Sequence, residues 1–237
     1  MQIKVKNMYS YFLVKPDGIR FLPEIIEQLE SEFQSIRYFK VEDFSQTIKS
    51  LYYKHYEKKG NQFAQAYEQY LYGLNELFGN QALVALVSNQ EKENYTDFCK
   101  RVLDLKIKIR NEYANNNVGV ITNFANKDGN STNIIQIIDE NGQKEKQRIF
   151  KGKGNYRIND LNVIHCPDAD VNTTVEELKI LCQKGIIDDR NMIGRQEIEH
   201  AIKYKSIYGS EANINEPKPD IAGFLKDEIR RTDEEER

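Results

Sequence analysis

The chain has 237 residues, with 34 Lys and Arg against 37 Asp and Glu, a formal net charge of -3 and 39% hydrophobic residues. That length holds one large domain or a core with additions, and the slightly acidic balance argues against nucleic acid as the main partner. No run reaches the roughly 20 apolar residues of a membrane helix, Met1–Lys6 lacks a secretory apolar segment, and Cys99, Cys166 and Cys182 have no metal-ligand spacing. Together these predict a cytoplasmic protein with reduced thiols and no membrane partner.

Residues 9–15 read as a strand ended by Pro16-Asp17-Gly18. Leu22, Ile25, Ile26, Leu29 and Phe33 recur at helical spacing, with Pro23 tolerated in a first turn. Residues 36–44 read as a second strand. Helical stretches follow at 46–58 and 62–78, the second carrying Phe63, Tyr67, Tyr70, Leu71, Leu74 and Leu77. The apolar run over 82–88 is a strand, and 93–105 returns to helix.

Composition changes after Tyr113. Strand-like runs at 118–124, 133–138 and 147–151 are separated by Asp128-Gly129 and Asn141-Gly142, dipeptides that favour hairpin turns. The chain returns to a core strand at 161–165. Thr174-Val175-Glu176-Glu177 has the pattern of a capping box, with Val175, Leu178 and Leu181 on the inner face of the helix it opens. Without 115–160 the order is βαββαβ with extra helices. That is an α+β, ferredoxin-like plan, an antiparallel sheet with helices covering one face. The expected organisation is a core from 1–114 and 161–207, an inserted β-hairpin region at 115–160, and a charged tail from 208–237.

Two segments carry the chemistry. Tyr11-Phe12-Leu13-Val14-Lys15-Pro16-Asp17-Gly18-Ile19 ends a strand in a lysine, and Asn162-Val163-Ile164-His165-Cys166-Pro167-Asp168 ends one in a histidine. A lysine can neutralise phosphoryl oxygens while an imidazole attacks phosphorus, so the pair suits phosphate chemistry.

These segments resemble the nucleoside diphosphate kinase family. Phe12–Ile19 resembles its first-strand Lys-Pro-Asp-Gly-Val signature, and Asn162–Asp168 is similar to its Asn-x-Ile-His-Gly-Ser-Asp active-site segment. His55-Tyr56, Gly79–Val87, Arg101-Val102-Leu103 and Ile109–Ala114 resemble further family segments in the same order. The likeness covers roughly 9–114 and 161–182.

The resemblance implies a phosphotransferase that moves the γ-phosphate of a nucleoside triphosphate to a nucleoside diphosphate through phosphohistidine at His165. It implies that Lys15 contacts the transferred group, Tyr56 hydrogen-bonds nearby, and Arg101 and Arg110 grip the β- and γ-phosphates. Asn162 would bind the ribose and Glu177 would orient the histidine ring, with Glu176 the neighbouring alternative. Phe63 reads either as a base-stacking residue or as a core aromatic of its helix. Magnesium would bridge the nucleotide phosphates with few direct protein ligands, and a homo-oligomer is expected.

The chain departs from the family in three places. Only Val102–Ile109 separates Arg101 from Arg110, where the family has a long loop at the nucleotide mouth; its loss leaves base preference and the usual hexamer open. Cys166 replaces the glycine after the histidine. The insertion carries Lys144, Lys146, Arg148, Lys151 and Lys153, read either as a solvated hairpin or as extra contact with a polyphosphate or acidic partner. These departures support an alternative of another class, a nucleotide-binding regulatory or assembly module with little catalysis.

Overall fold

A computed structural model of the chain describes residues 7–52, 71, 74–75, 78–117, 122–125, 131–138, 144–152 and 162–198. The expected tail at 208–237 lies outside these residues, as does most of the 62–78 stretch. Of that stretch, 71, 74, 75 and 78 are described, and all are helical.

Strand β1 (Tyr9–Val14) is aromatic and apolar but for Ser10, and buried on both faces. Pro16 opens a 3-10 turn over Pro16–Phe21, in which the Gly18 N–H donates to Lys15 O at 2.8 Å. Helix α1 (Leu22–Glu32) follows, burying Leu22, Ile25, Ile26 and Leu29 at the spacing of one helix face. Strand β2 (Ile36–Val41) leads to α2 (Phe44–Leu51), whose first turn is capped by Asp43 accepting from Gln46 N. Strand β3 (Ala82–Ser88), the most apolar segment, lies at the centre of the sheet.

Helix α3 (Tyr95–Asn117) is 23 residues long, well beyond the expected 93–105. Within the region expected as an insertion at 115–160, a separate antiparallel sheet is formed by β4 (Thr122–Ala125), β5 (Ser131–Ile138) and β6 (Lys144–Gly152). The chain re-enters the main sheet as β7 (Ile164–His165), then forms α4 (Val171–Gln183) and β8 (Met192–Ile193).

The main sheet has the order β7-β1-β3-β2-β8, and every neighbouring pair is antiparallel. The fold is therefore α+β, and without β8 its four strands run fourth-first-third-second, compatible with a ferredoxin-like arrangement. β8 extends the sheet beyond β2, an edge strand absent from the sequence reading.

Helices cover both faces, not one. Successive strand side chains point to opposite sides. Phe12 packs on Phe33 at the end of α1, and Phe33 on Phe98 of α3. Tyr11, one residue away, instead reaches Glu177 of α4. A sheet whose central strands are buried on both sides needs this second layer, which the α2 and α4 helices supply. No described helix is long and apolar enough to cross a membrane.

Candidate active site

The site is built on an interlock between the Lys15–Gly18 turn and the segment leading into β7. Lys15 N–H donates to Val163 O at 2.9 Å, and Val163 N–H donates to Asp17 Oδ2 at 3.0 Å. Val163 has φ 54, a left-handed conformation that a β-branched residue rarely adopts. Ile164 N–H closes a three-residue turn onto Asn162 O at 2.5 Å. The strained turn shortens the expected 161–165 strand to Ile164–His165 and sets the direction in which His165 leaves it. Asp17 is fully buried, and its Oδ1 has no hydrogen-bond partner; Lys15 Nζ lies 4.0 Å away. Burial pushes the Asp17 carboxyl above its usual range, against the pull of Lys15 and the Val163 N–H.

Register then brings the two motif segments together. β1 pairs Leu13 with His165 and Val14 with Ile164. Alternation along β1 puts Tyr11, Leu13 and Lys15 on the face that His165 occupies. Lys15 is 5% exposed, and its Nζ donates to Asn162 Oδ1 at 2.9 Å.

The His165 ring is buried and held from both nitrogens. Nε2 lies 3.4 Å from Glu177 Oε2, and Nδ1 lies 2.9 Å from the Tyr52 hydroxyl, with the Tyr52 and His165 rings edge to face. A carboxylate can only accept, so Nε2 carries the proton facing Glu177 and Nδ1 of the neutral ring is the lone pair. Glu177 Oε2 also accepts from Tyr11 OH at 2.7 Å. Burial, and then the Glu177 charge, push the Tyr11 hydroxyl well above its ordinary value, so it remains a neutral donor.

Glu177 faces the histidine because α4 starts earlier than the capping-box reading expects. The N-cap is Asp170, accepting from Thr173 N at 2.7 Å, and Thr174 is a buried residue inside the first turns. Glu177 thus has no capping role, and Glu176 next to it is exposed.

The ring opens on a cleft of about 1120 Å³ between α2, α3 and α4. Among the described residues its wall carries five cations (Lys49, Lys106, Arg110, Lys179, Lys184) and three carboxylates (Asp168, Glu176, Glu177). The excess of positive charge suits an anionic ligand. Lys15 and Asn162 do not line this cleft.

The two arginines part company. Arg110 lines the cleft, its Nε and Nη2 both donating to Ile164 O at 2.9 and 2.8 Å. Arg101 does not reach it. Nine positions along one helix are two and a half turns, so the two side chains leave α3 on opposite sides. Arg101 makes a two-pronged pair with Glu93, donates to Glu32 O, and lies over the Phe33 and Phe98 rings. The structure thus brings Arg110, and not Arg101, to the cleft beside His165. Partial burial pushes Glu93 up, but Arg101 prevails and holds that carboxyl below its usual value.

Tyr56, Phe63 and His55 lie outside the described residues, as does His200. Cys166 is fully buried; burial pushes its thiol up to about 12, so the residue after the histidine is an inert neutral group. Three residues of the site have no role in the sequence reading: Tyr11, Tyr52 and Lys106. Lys106 had a signal, its i,i+4 spacing with Arg110. The two tyrosines had none, since a strand register and a helix end bring them to the ring.

Comparison with known protein families, with curated proteins and with solved structures gave no match.

Proposed function

We propose that the protein is a phosphotransferase of the nucleoside diphosphate kinase type, in which His165 carries the phosphoryl group between two nucleotides. The observation that supports this most is the His165 ring itself, held by Glu177 at Nε2 and by the Tyr52 hydroxyl at Nδ1, in the wall of a cleft rich in cations. In the forward half, the Nδ1 lone pair attacks the γ-phosphorus. An N–P bond forms, the bridging P–O bond breaks, and the nucleoside diphosphate leaves with the bonding electrons. The Nε2 proton stays against Glu177, which stabilises the charge that the ring gains. In the return half, a terminal oxygen of a second nucleoside diphosphate attacks phosphorus and the N–P bond breaks.

The chain's own groups prepare both halves. Arg110 lies beside the strand carbonyl that precedes the histidine and offers its remaining N–H groups to phosphoryl oxygens. Lys15, on the same sheet face and held by Asn162, contributes its charge from there. The Tyr52 hydroxyl occupies the Nδ1 lone pair and gives way to the phosphoryl group on attack. Among the described residues no group of three carboxylate, imidazole or thiol side chains forms a metal site, so magnesium would come in on the nucleotide phosphates and neutralise their charge there. Asp168 and Glu176, exposed carboxylates on the wall, are the acidic groups it would meet there.

The test is incubation with γ-labelled ATP and magnesium, followed by analysis for acid-labile, alkali-stable label. The expected result is label on the wild type that is absent from His165→Ala and discharges to added nucleoside diphosphates. Full transfer by His165→Ala would end the mechanism. A second reading, a nucleotide-binding module with little catalysis, draws on Tyr52 covering Nδ1 and on Arg101 facing away. ATP binding without label would favour it.

A further inference from the structure

Two cations on α3 reach the backbone on either side of His165. Lys106 and Arg110, four positions apart, stand one above the other on a single helix face. Arg110 donates twice to the carbonyl of Ile164, and Lys106 Nζ donates to the carbonyl of Cys166 at 3.3 Å. The residue before the histidine and the residue after it therefore each hold a positive side chain.

The Lys106 arrangement is costly as a purely structural feature. Lys106 is 6% exposed, and a buried ammonium is unfavourable unless it is well paired. Its contact with the Cys166 carbonyl is long for a charged donor. Among the described residues its acidic neighbour is Asp168, 3.8 Å away on a side chain that is 85% exposed. The buried Cys166 thiol is neutral and offers no compensating charge. A methionine stem would fill the same space without the penalty. Yet the ammonium lines the cleft onto which the His165 ring opens, and an ammonium has three donors to offer.

We propose that Lys106 is a phosphate-binding residue which, with Arg110, brackets His165 and holds the non-bridging oxygens of the group that His165 accepts. The contact to the transferred group rests on the phosphotransfer reading; the anion site does not. Lys106 supplies the second cation that Arg101, bound to Glu93, does not.

The experiment uses the full chain as wild type, Lys106→Met, Lys106→Gln and Lys106→Arg, with thermal melting as the folding control. Binding of inorganic tripolyphosphate with magnesium is measured by calorimetry, and label from γ-labelled ATP is followed in parallel. The expected result is a fall in tripolyphosphate affinity of about 10- to 100-fold in both neutral variants, the loss of one charge-assisted contact. Lys106→Arg should stay within a few-fold of the wild type, and the KM for ATP should rise in the neutral variants. Neutral variants that bind and label like the wild type would overturn the Lys106 assignment and leave phosphotransfer standing. Tripolyphosphate binding that depends on Lys106 in a protein that never labels would keep the anion site and end phosphotransfer. A wild type that neither binds nor labels would end both.

Discussion

The carbonyl oxygen of Val163 stands in the space that a Cβ on Gly18 would need, with Val14 Cγ1 only 3.1 Å from the same point. Both obstacles are immobile, one a backbone atom and the other a fully buried side chain. The glycine is required by close approach of two chain segments, not by its own backbone angle. Gly18→Ala should therefore push the Lys15–Gly18 turn away from the segment that aims His165. The expected loss is about 1–3 kcal/mol of stability, read as a lower urea midpoint at unchanged slope. A variant as stable as the wild type would mean that the two segments are not locked together.

Asp17 makes the same interlock sensitive to pH. Burial raises its folded-state pKa above the unfolded carboxyl value of about 4. Its contribution to stability is thus complete below that value and is lost as pH rises through the folded pKa. Asp17→Asn keeps an oxygen to accept the Val163 N–H but has no charge to bury. The stability of the wild type relative to the variant should be greatest near pH 4 and decline towards pH 7. Urea unfolding of both proteins across that range measures it; a difference that stays constant with pH would refute the assignment.

Arg101 gives a prediction of the opposite kind, a cost in stability without a cost in chemistry. Its pair with Glu93 is partly buried on both sides, and its guanidinium covers two aromatic rings at 4.4 and 5.7 Å. Arg101→Met should lower stability by about 2 kcal/mol, the scale of a hydrogen bond to a charged group. The rate of label formation and the KM for ATP should match the wild type under folding conditions. A raised KM in a fully folded variant would return Arg101 to the nucleotide site.

How far this site can be read from sequence follows from what each residue depends on. β1 and β3 are legible because both faces are buried and the apolar run is continuous. α1 is legible because Leu22, Ile25, Ile26 and Leu29 keep one face. α3 runs past its expected end because its later turns are mostly polar and periodicity fades there. The Val163 turn leaves no mark, since nothing about a valine announces a positive φ. His165, Lys15 and Asn162 come together through β-pairing between segments that sequence alone could name but not register. Tyr52 and Tyr11 become site residues only once that register is set. Arg101 shows the reverse error: a residue type and local motif fit for phosphate, placed half a turn away from where a phosphate could be.

Tyr11 tests whether the histidine needs its carboxylate held still. Its hydroxyl is fully buried and donates to the same Glu177 oxygen that faces His165 Nε2. Tyr11→Phe keeps the ring and the packing while deleting one donor, so the cost in stability should be about 1 kcal/mol. Glu177 would then be free to turn about its terminal bond, and the fraction of rings presenting Nδ1 to the cleft would fall. The expected outcome is a single-turnover labelling rate reduced about tenfold, with tripolyphosphate binding unchanged, since the cations of the wall are untouched. A positioning role requires that split between rate and binding. Equal losses in both would mean that Tyr11 merely supports the shape of the cleft, and an unchanged rate would mean that Glu177 is held well enough by the histidine alone.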